Sequence, residues 1–235
     1  MSIAIRYSDY MEAKALSEPT RSAKRTKLRL KASIARVLDT NDFNDVRVSD
    51  ICKATGASQG TFYLYFKNKQ DAVFQVIKEY VELQKSTIPP LDAEHPFDEL
   101  YRFTNWFQEF FRANIGLQRT LMQLRDKLPD FGEIYGESLR YLTTHLVNSL
   151  KSHYANNEVK DDMLKFAVYC AGSILDQTLY AVYAVHRKSE FDKLINSPND
   201  LTEMIALLLY RALYGEEPPK DRLTTTIPLL RTGPS

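Results

Sequence analysis

Apolar residues recur along this chain at spacings of three and four, and no stretch sustains a period of two. Side chains share a helix face about every 3.6 residues and a strand face every two, so this spacing predicts an all-α fold. Glycine is scarce, 8 of 235 residues, which argues against turn-rich β architectures and glycine-rich phosphate loops. Leu30, Ile34, Val37 and Leu38 mark a first helix over 22–40, and Val48, Ile51 and Cys52 a short second one. Gly56 interrupts, and a third helix is expected over 58–66 with Phe62 and Phe66 on one face. Asn68 is placed to cap a fourth helix, with Asp71 in its first turn and Pro89 and Pro90 beyond its end. Further helices are expected over 96–114, 117–125, from Pro129 past Leu150, and over 158–186. A last one is punctuated by Ser197, Pro198, Asp200 and Gly215. Glu216–Ser235 carries four of the ten prolines and reads as a tail.

The charge is unevenly distributed. Residues 1–87 hold 15 Lys and Arg against 10 Asp and Glu, a net of +5 within a chain whose total is +1. Six basic and no acidic residues fall between Arg21 and Lys31. A basic N-terminal part on a mildly acidic remainder suggests that one domain alone meets an anionic polymer. Two distant cysteines, Cys52 and Cys170, make no disulfide framework, and the chain start carries no export signal, so a cytoplasmic location is expected. The richest apolar run, Phe166–Val185, is interrupted by Ser173, Asp176, Gln177 and Thr178 and reads as a core helix, with no membrane partner. The histidines show no i, i+4 metal pair. No C-x-x-C, phosphate loop or nucleophile elbow is present, so neither a metal, a cofactor nor an enzyme is expected.

Val48–Phe66 has the plan of a helix-turn-helix. A helix entering a major groove about 12 Å wide must present small and polar groups to base edges. Ser58, Gln59, Gly60, Thr61 and Tyr63 fit that face, while Ala57, Phe62 and Phe66 would hold the opposite face against its neighbours. The run DVRVSDICKATGASQGTFYLYFKNKQDAV resembles the DNA-binding segment of the TetR family of transcriptional regulators, over about Leu28–Tyr80. Arg47 and Cys52 depart from the family's usual threonine and alanine, and Arg36 stands where a small residue is usual. Arg47 is a candidate phosphate contact, and Asp45 or Ser49 could supply the missing cap.

The resemblance implies base-edge contacts from Ser49, Gln59, Gly60 and Tyr63. It implies phosphate contacts from Thr61, Tyr65, Lys67 and Lys69, with Ser58 on the DNA-facing side and Lys24, Arg25 and Lys27 in a basic arm. It divides the chain into an N-terminal extension over 1–21, expected to be flexible, and a DNA-binding domain over 22–67. A ligand-binding and dimerisation domain over 68–215, whose helix over 68–86 links the two domains, and the tail over 216–235 follow. The implied partners are double-stranded DNA carrying a palindromic operator, a small apolar or aromatic effector, and a second copy bound through the last two long helices. Small residues among Phe166, Ala167, Cys170, Ala171 and Ile174, with Leu201, Met204, Ile205, Leu208 and Ala212 on the next helix, suit such a pairing.

Six aromatics lie between Tyr101 and Phe111. Plain core packing explains any one of them, but their number suggests a pocket. Trp106, Phe107, Phe110, Phe111, Tyr141, His145, Tyr169, Asp176 and Tyr180 are the expected ligand contacts, with Arg112, Arg119 or Arg125 as ion-pair partners for Asp176 if it is buried. A repressor released by its ligand is the reading that results. A regulator gated by a protein or not gated at all, and an all-α enzyme or carrier, are the alternatives.

Overall fold

The computed structural model describes residues 5–91, 94–154, 160–185 and 197–224, and among them every regular element is helical. The expected helix end at His186 and residues 225–235 of the expected tail lie outside the described residues. Two compact units are present: Met1–Thr87 with Phe110–Ser138, and Ile88–Glu109 with Leu139–Ser235. This division differs from the expected break at 67/68, because the stretch from Phe110 to Ser138 shares its core with the N-terminal helices.

The first unit begins with α1, Tyr7–Ser17, where the sequence suggested a flexible extension. The correction has a clear cause. Tyr7, Met11 and Ala15 recur every four residues and are all buried. The Tyr7 backbone N–H donates to Asn114 Oδ1 at 2.7 Å, its hydroxyl donates to Glu79 Oε2 at 3.0 Å, and Asn114 Nδ2 donates to the Ile5 carbonyl at 2.9 Å. Helix α2, Ala23–Thr40, is capped by Ser22, whose hydroxyl accepts from the Arg25 N–H. The short helices α3, Val48–Thr55, and α4, Gln59–Tyr63, flank Gly56, whose φ of 75° is left-handed and suits glycine. Helix α5, Lys69–Ser86, starts at Asn68 as expected, with the Asp71 N–H donating to Asn68 Oδ1 at 2.8 Å.

Helix α7, Ile115–Leu124, locks the end of α2. A Cβ at Gly116 would lie 2.4 Å from the Leu38 carbonyl carbon and oxygen, so only glycine permits this approach. One turn on, Arg119 is 2% exposed. Its Nη2 donates to the Leu38 and Asn41 carbonyls at 2.8 and 3.1 Å, and its Nε pairs with Asp42 at 3.1 Å. A guanidinium thus caps the negative end of α2 and satisfies carbonyls that the helix itself cannot.

The second unit takes the first part of α6, Pro96–Ala113, the later part of α8, Pro129–His153, and two long helices, α9, Asp161–Leu179, and α10, Pro198–Tyr214. Helix α9 continues into one wider turn of π-helix, Tyr180–Ala184. Helix α10 has the expected reciprocal cap between Ser197 and Asp200 and ends on Gly215 at φ 70°. The stretch after Gly215, expected as a tail, is fastened through residue 224. Tyr210 donates to Glu216, Arg211 pairs with Glu217, Arg222 with Asp98, and the Thr224 N–H donates to the buried Glu203 carboxylate at 2.9 Å.

Replacing Gly116 with alanine should destabilise the protein by about 1–3 kcal/mol, read as a lower denaturant midpoint at unchanged slope. Burial first, and then the neighbouring Glu79 charge, raise the Tyr7 phenol far above its ordinary value. The folded state therefore keeps this proton when the unfolded chain has lost it. The associated stability is complete below the ordinary tyrosine pKa, near 10, and declines as pH rises beyond it. Stability measured through this alkaline window should fall less steeply for Tyr7→Phe than for the wild type.

Candidate nucleic-acid interface

The turn chemistry of α3 and α4 builds a small polar platform. The Arg47 N–H donates to Asp50 Oδ2 at 2.9 Å, so Asp50, and neither Asp45 nor Ser49, closes the start of α3. Ser58 caps α4, accepting from the Thr61 N–H at 3.0 Å and sharing a hydrogen bond with the Thr61 hydroxyl at 2.9 Å. Phe62 and Phe66 are buried with ring centroids 5.1 Å apart, and they anchor the platform in the first unit's core. The α-helical part ends at Tyr63, three residues short of expectation. A tighter turn follows, in which the Tyr65 N–H donates to the Phe62 carbonyl.

Ser49, Ser58, Gln59, Gly60 and Tyr63 are exposed, as is Arg47, and Thr61 and Tyr65 are half-buried. Gly60 has only the Ser58 hydroxyl near its missing Cβ, so its backbone is open to close approach. Leu64 is 81% exposed at the end of this helix and was not singled out by sequence reasoning. The signal was available, since it follows Tyr63 on the side opposite Phe62 and Phe66.

Several expected phosphate contacts are engaged by the protein itself. The Lys69 ammonium donates to the Phe43 and Val46 carbonyls at 2.7 and 2.8 Å and to Asn44 at 3.4 Å, and lies over the Phe43 ring. Its pKa is lowered by burial. Lys69 therefore clamps the loop between α2 and α3, a role different from the phosphate contact expected of it. Lys24 pairs with Glu18 at 2.5 Å, and Arg25 donates to the Glu18 carbonyl and Thr20 hydroxyl at 3.4 Å. Lys67 is exposed, while its backbone N–H donates to Asp71.

The nine expected ligand contacts are divided between the two units. Phe110 and Phe111 are buried in the first unit, where Phe110 stacks on Tyr80 at 5.3 Å. Trp106 and Phe107 are buried in the second, packed with Phe103. Tyr141 and Tyr169 are each 48% exposed. His145 lies 3.3 Å from the Pro89 carbonyl, Asp176 is buried and Tyr180 opens the π turn. Arg119 is committed to the end of α2, and Arg125 lies over the Tyr135 ring at 4.4 Å. Sequence reasoning missed Thr104 and Gln108, one turn apart on α6 and fully buried. The Thr104 hydroxyl and Gln108 Oε1 lack hydrogen-bond partners among the described residues, although Gln108 Nε2 donates to the Pro198 carbonyl. Their only sequence signal is two polar residues inside an aromatic run.

Residues 32–76, which hold the platform, match the model of bacterial regulatory proteins, tetR family. Over this segment the chain is similar to that family. It is similar to the fatty acid metabolism regulator protein of Bacillus subtilis, 44% identical over 43 residues, which is 18% of this chain and 22% of that one. It is also similar to the HTH-type transcriptional regulator EthR of Mycolicibacterium smegmatis, 27% identical over 82 residues, 35% and 38% of the two chains. The chain thus matches well under half the length of these relatives. Likeness in fold extends further. The crystal structure of the transcriptional regulator FadR from Bacillus subtilis in complex with stearoyl-CoA superposes with a TM-score of 0.59 at 20% identity, covering 77% of this chain and 96% of that one. Among the described residues no helix is long and apolar enough to cross a membrane, and no group of three or more metal-ligating side chains converges.

Two neighbouring lysines should separate by role. Lys69→Met, which leaves loop carbonyls without their charged donor, should lower unfolding stability by about 1–3 kcal/mol. Lys67→Met, at an exposed side chain, should change it by less than about 0.5 kcal/mol. Paired denaturant titrations read both.

Proposed function

We propose that the chain is a sequence-specific DNA-binding transcriptional regulator, a repressor released from its operator by a small ligand with a long apolar body. The observation that carries the DNA reading is the polar face of α4. Gln59, Gly60 and Tyr63 are exposed on a helix that Phe62 and Phe66 fasten to the core, within the segment that matches the family model. Glutamine can bond bidentately to adenine, and a glycine lets the backbone approach the groove. Lys67 and Arg47 supply phosphate contacts that set affinity, while Gln59 and its neighbours set sequence choice.

A second copy pairs through α9 and α10. The support is an apolar stripe on α9, where Met163 and Phe166 are each 64% exposed and Ile174 and Cys170 also face outward, beside exposed Leu208 on α10. Two-fold pairing presents two α4 helices to a palindrome. The protein works in the cytoplasm without an enzymatic reaction of its own.

The ligand reading rests on the second unit's buried Trp106 and Phe107 and on the orphaned Thr104 and Gln108 polar atoms, which would receive a ligand's polar group. The curated relative is a fatty acid metabolism regulator, and the FadR structure holds stearoyl-CoA. A long-chain acyl thioester is therefore the first ligand to test. Helices α6 and α8 each give residues to both units, so a ligand that moves either helix shifts the population of DNA-competent dimers. The shift equals the ligand's difference in affinity between the two states, typically about 1–3 kcal/mol.

Selection of random duplexes by the purified protein should enrich an inverted repeat, and the Gln59→Ala/Tyr63→Ala double variant should lose that enrichment. Stearoyl-CoA should then release the selected duplex. Failure to enrich any repeat at low salt, from protein stripped of bound ligand, would overturn the regulator reading.

A further inference from the structure

A cavity of about 370 Å³ in the second unit has a chemistry opposite to that of an apolar effector site. It opens where the first turn of α6, the end of α8 and the end of α10 meet, and none of the expected ligand contacts lines it. Its walls carry Glu94 and Glu99 and, among the described residues, include no lysine or arginine. Apolar surface comes from Leu91, Pro96 and the rings of His153 and Tyr214.

The aromatic wall is held in place. Tyr214 stacks on Tyr210 at 4.7 Å with the rings 17° apart, and the His153 ring meets it edge-on at 4.7 Å. Tyr154 donates to the Leu213 carbonyl, tying the end of α8 to the end of α10. Glu99 is oriented as well, accepting from the Ser149 hydroxyl at 2.5 Å. Burial first and then the Glu99 charge keep the Tyr214 phenol protonated well past its ordinary range, in keeping with a negative field at this wall.

A volume of this size is at the lower end for small-molecule sites. Two carboxylates facing no lysine or arginine among the described lining residues select a positive charge, and the face of a fixed aromatic ring attracts an ammonium group and packs its methyl groups. A metal ion needs convergent ligands, and none converge here among the described residues. We infer that this cavity binds a compact organic ammonium cation, with its charge against Glu94 and Glu99 and its carbon substituents on the Tyr214 ring. The site is independent of the acyl ligand proposed above and of DNA.

Calorimetric titration of the full-length protein with choline and with benzyltrimethylammonium tests this, with 3,3-dimethyl-1-butanol as the uncharged counterpart of choline. One site per chain is expected for at least one cation, with the alcohol at least about tenfold weaker. Glu99→Gln, whose amide oxygen still accepts from Ser149, and the exposed Glu94→Gln should each weaken the cation by about three- to tenfold. Asp162→Asn, an exposed carboxylate elsewhere on the surface, should leave it unchanged. No heat with either cation up to about 10 mM, equal binding of the alcohol, or full binding by a folded Glu94→Gln/Glu99→Gln variant would overturn the proposal.

Discussion

The contact between α7 and the end of α2 governs the rest of the first unit. Gly116 brings one backbone against another, and the Arg119 guanidinium, buried one turn on, holds the Leu38 and Asn41 carbonyls and the Asp42 carboxylate. Lys69 does similar work from the other side of the α2–α3 loop, on the carbonyls of Phe43, Asn44 and Val46. Two buried or half-buried cations thus hold the loop that leads into α3. A lost partner would leave a charge and several carbonyls without their bonds, which costs more than the pairs contribute when intact. The platform that carries Gln59 and Tyr63 inherits its position from these bonds.

The basic run between Arg21 and Lys31 looks different once α1 is in place. Glu12 lies 3.7 Å from Arg29 and 3.8 Å from Arg36, Asp9 is 3.8 Å from Arg36, and Lys24 pairs with Glu18. Lys31 is buried against Glu79, which also receives the Tyr7 hydroxyl. A count of charges along the chain overstates the positive potential of this surface, because Lys24, Arg29 and Lys31 already face Glu18, Glu12 and Glu79. Exposed pairs of this kind add little to stability individually. Their larger effect is on the field that an approaching polyanion meets.

The aromatic residues show the limit of one-dimensional reading. Six rings within eleven residues suggested one pocket; Phe110 packs in the first unit's core, and Trp106 and Phe107 are buried in the second unit. A helix displays rings all round its circumference when it serves two cores, and a sequence window cannot tell that from a helix wrapped around a ligand. Tyr141 and Tyr169 are exposed, and Tyr169 shares the outward face of α9 with Phe166 and Cys170.

By itself the sequence determined the helices and their stops, since Ser22, Asn68, Ser197 and the two left-handed glycines, Gly56 and Gly215, act within a turn of themselves. The helix-turn-helix platform was legible for the same reason: Ser58, Gln59, Gly60 and Tyr63 are ordered by bonds no longer than three or four residues. Helix α1 was read as a flexible extension despite the spacing of Tyr7, Met11 and Ala15, because a short segment carries no sign of whether anything will cover it. Only the tertiary structure decided that Asn114 and Glu79, far along the chain, receive Tyr7, and that Arg119 caps α2 across 81 residues. It likewise turned Lys69 inward and assembled the acidic cavity from three separate helix ends. Local bonds follow from neighbouring residues, whereas the partner of a buried charge depends on which distant backbone the fold brings against it.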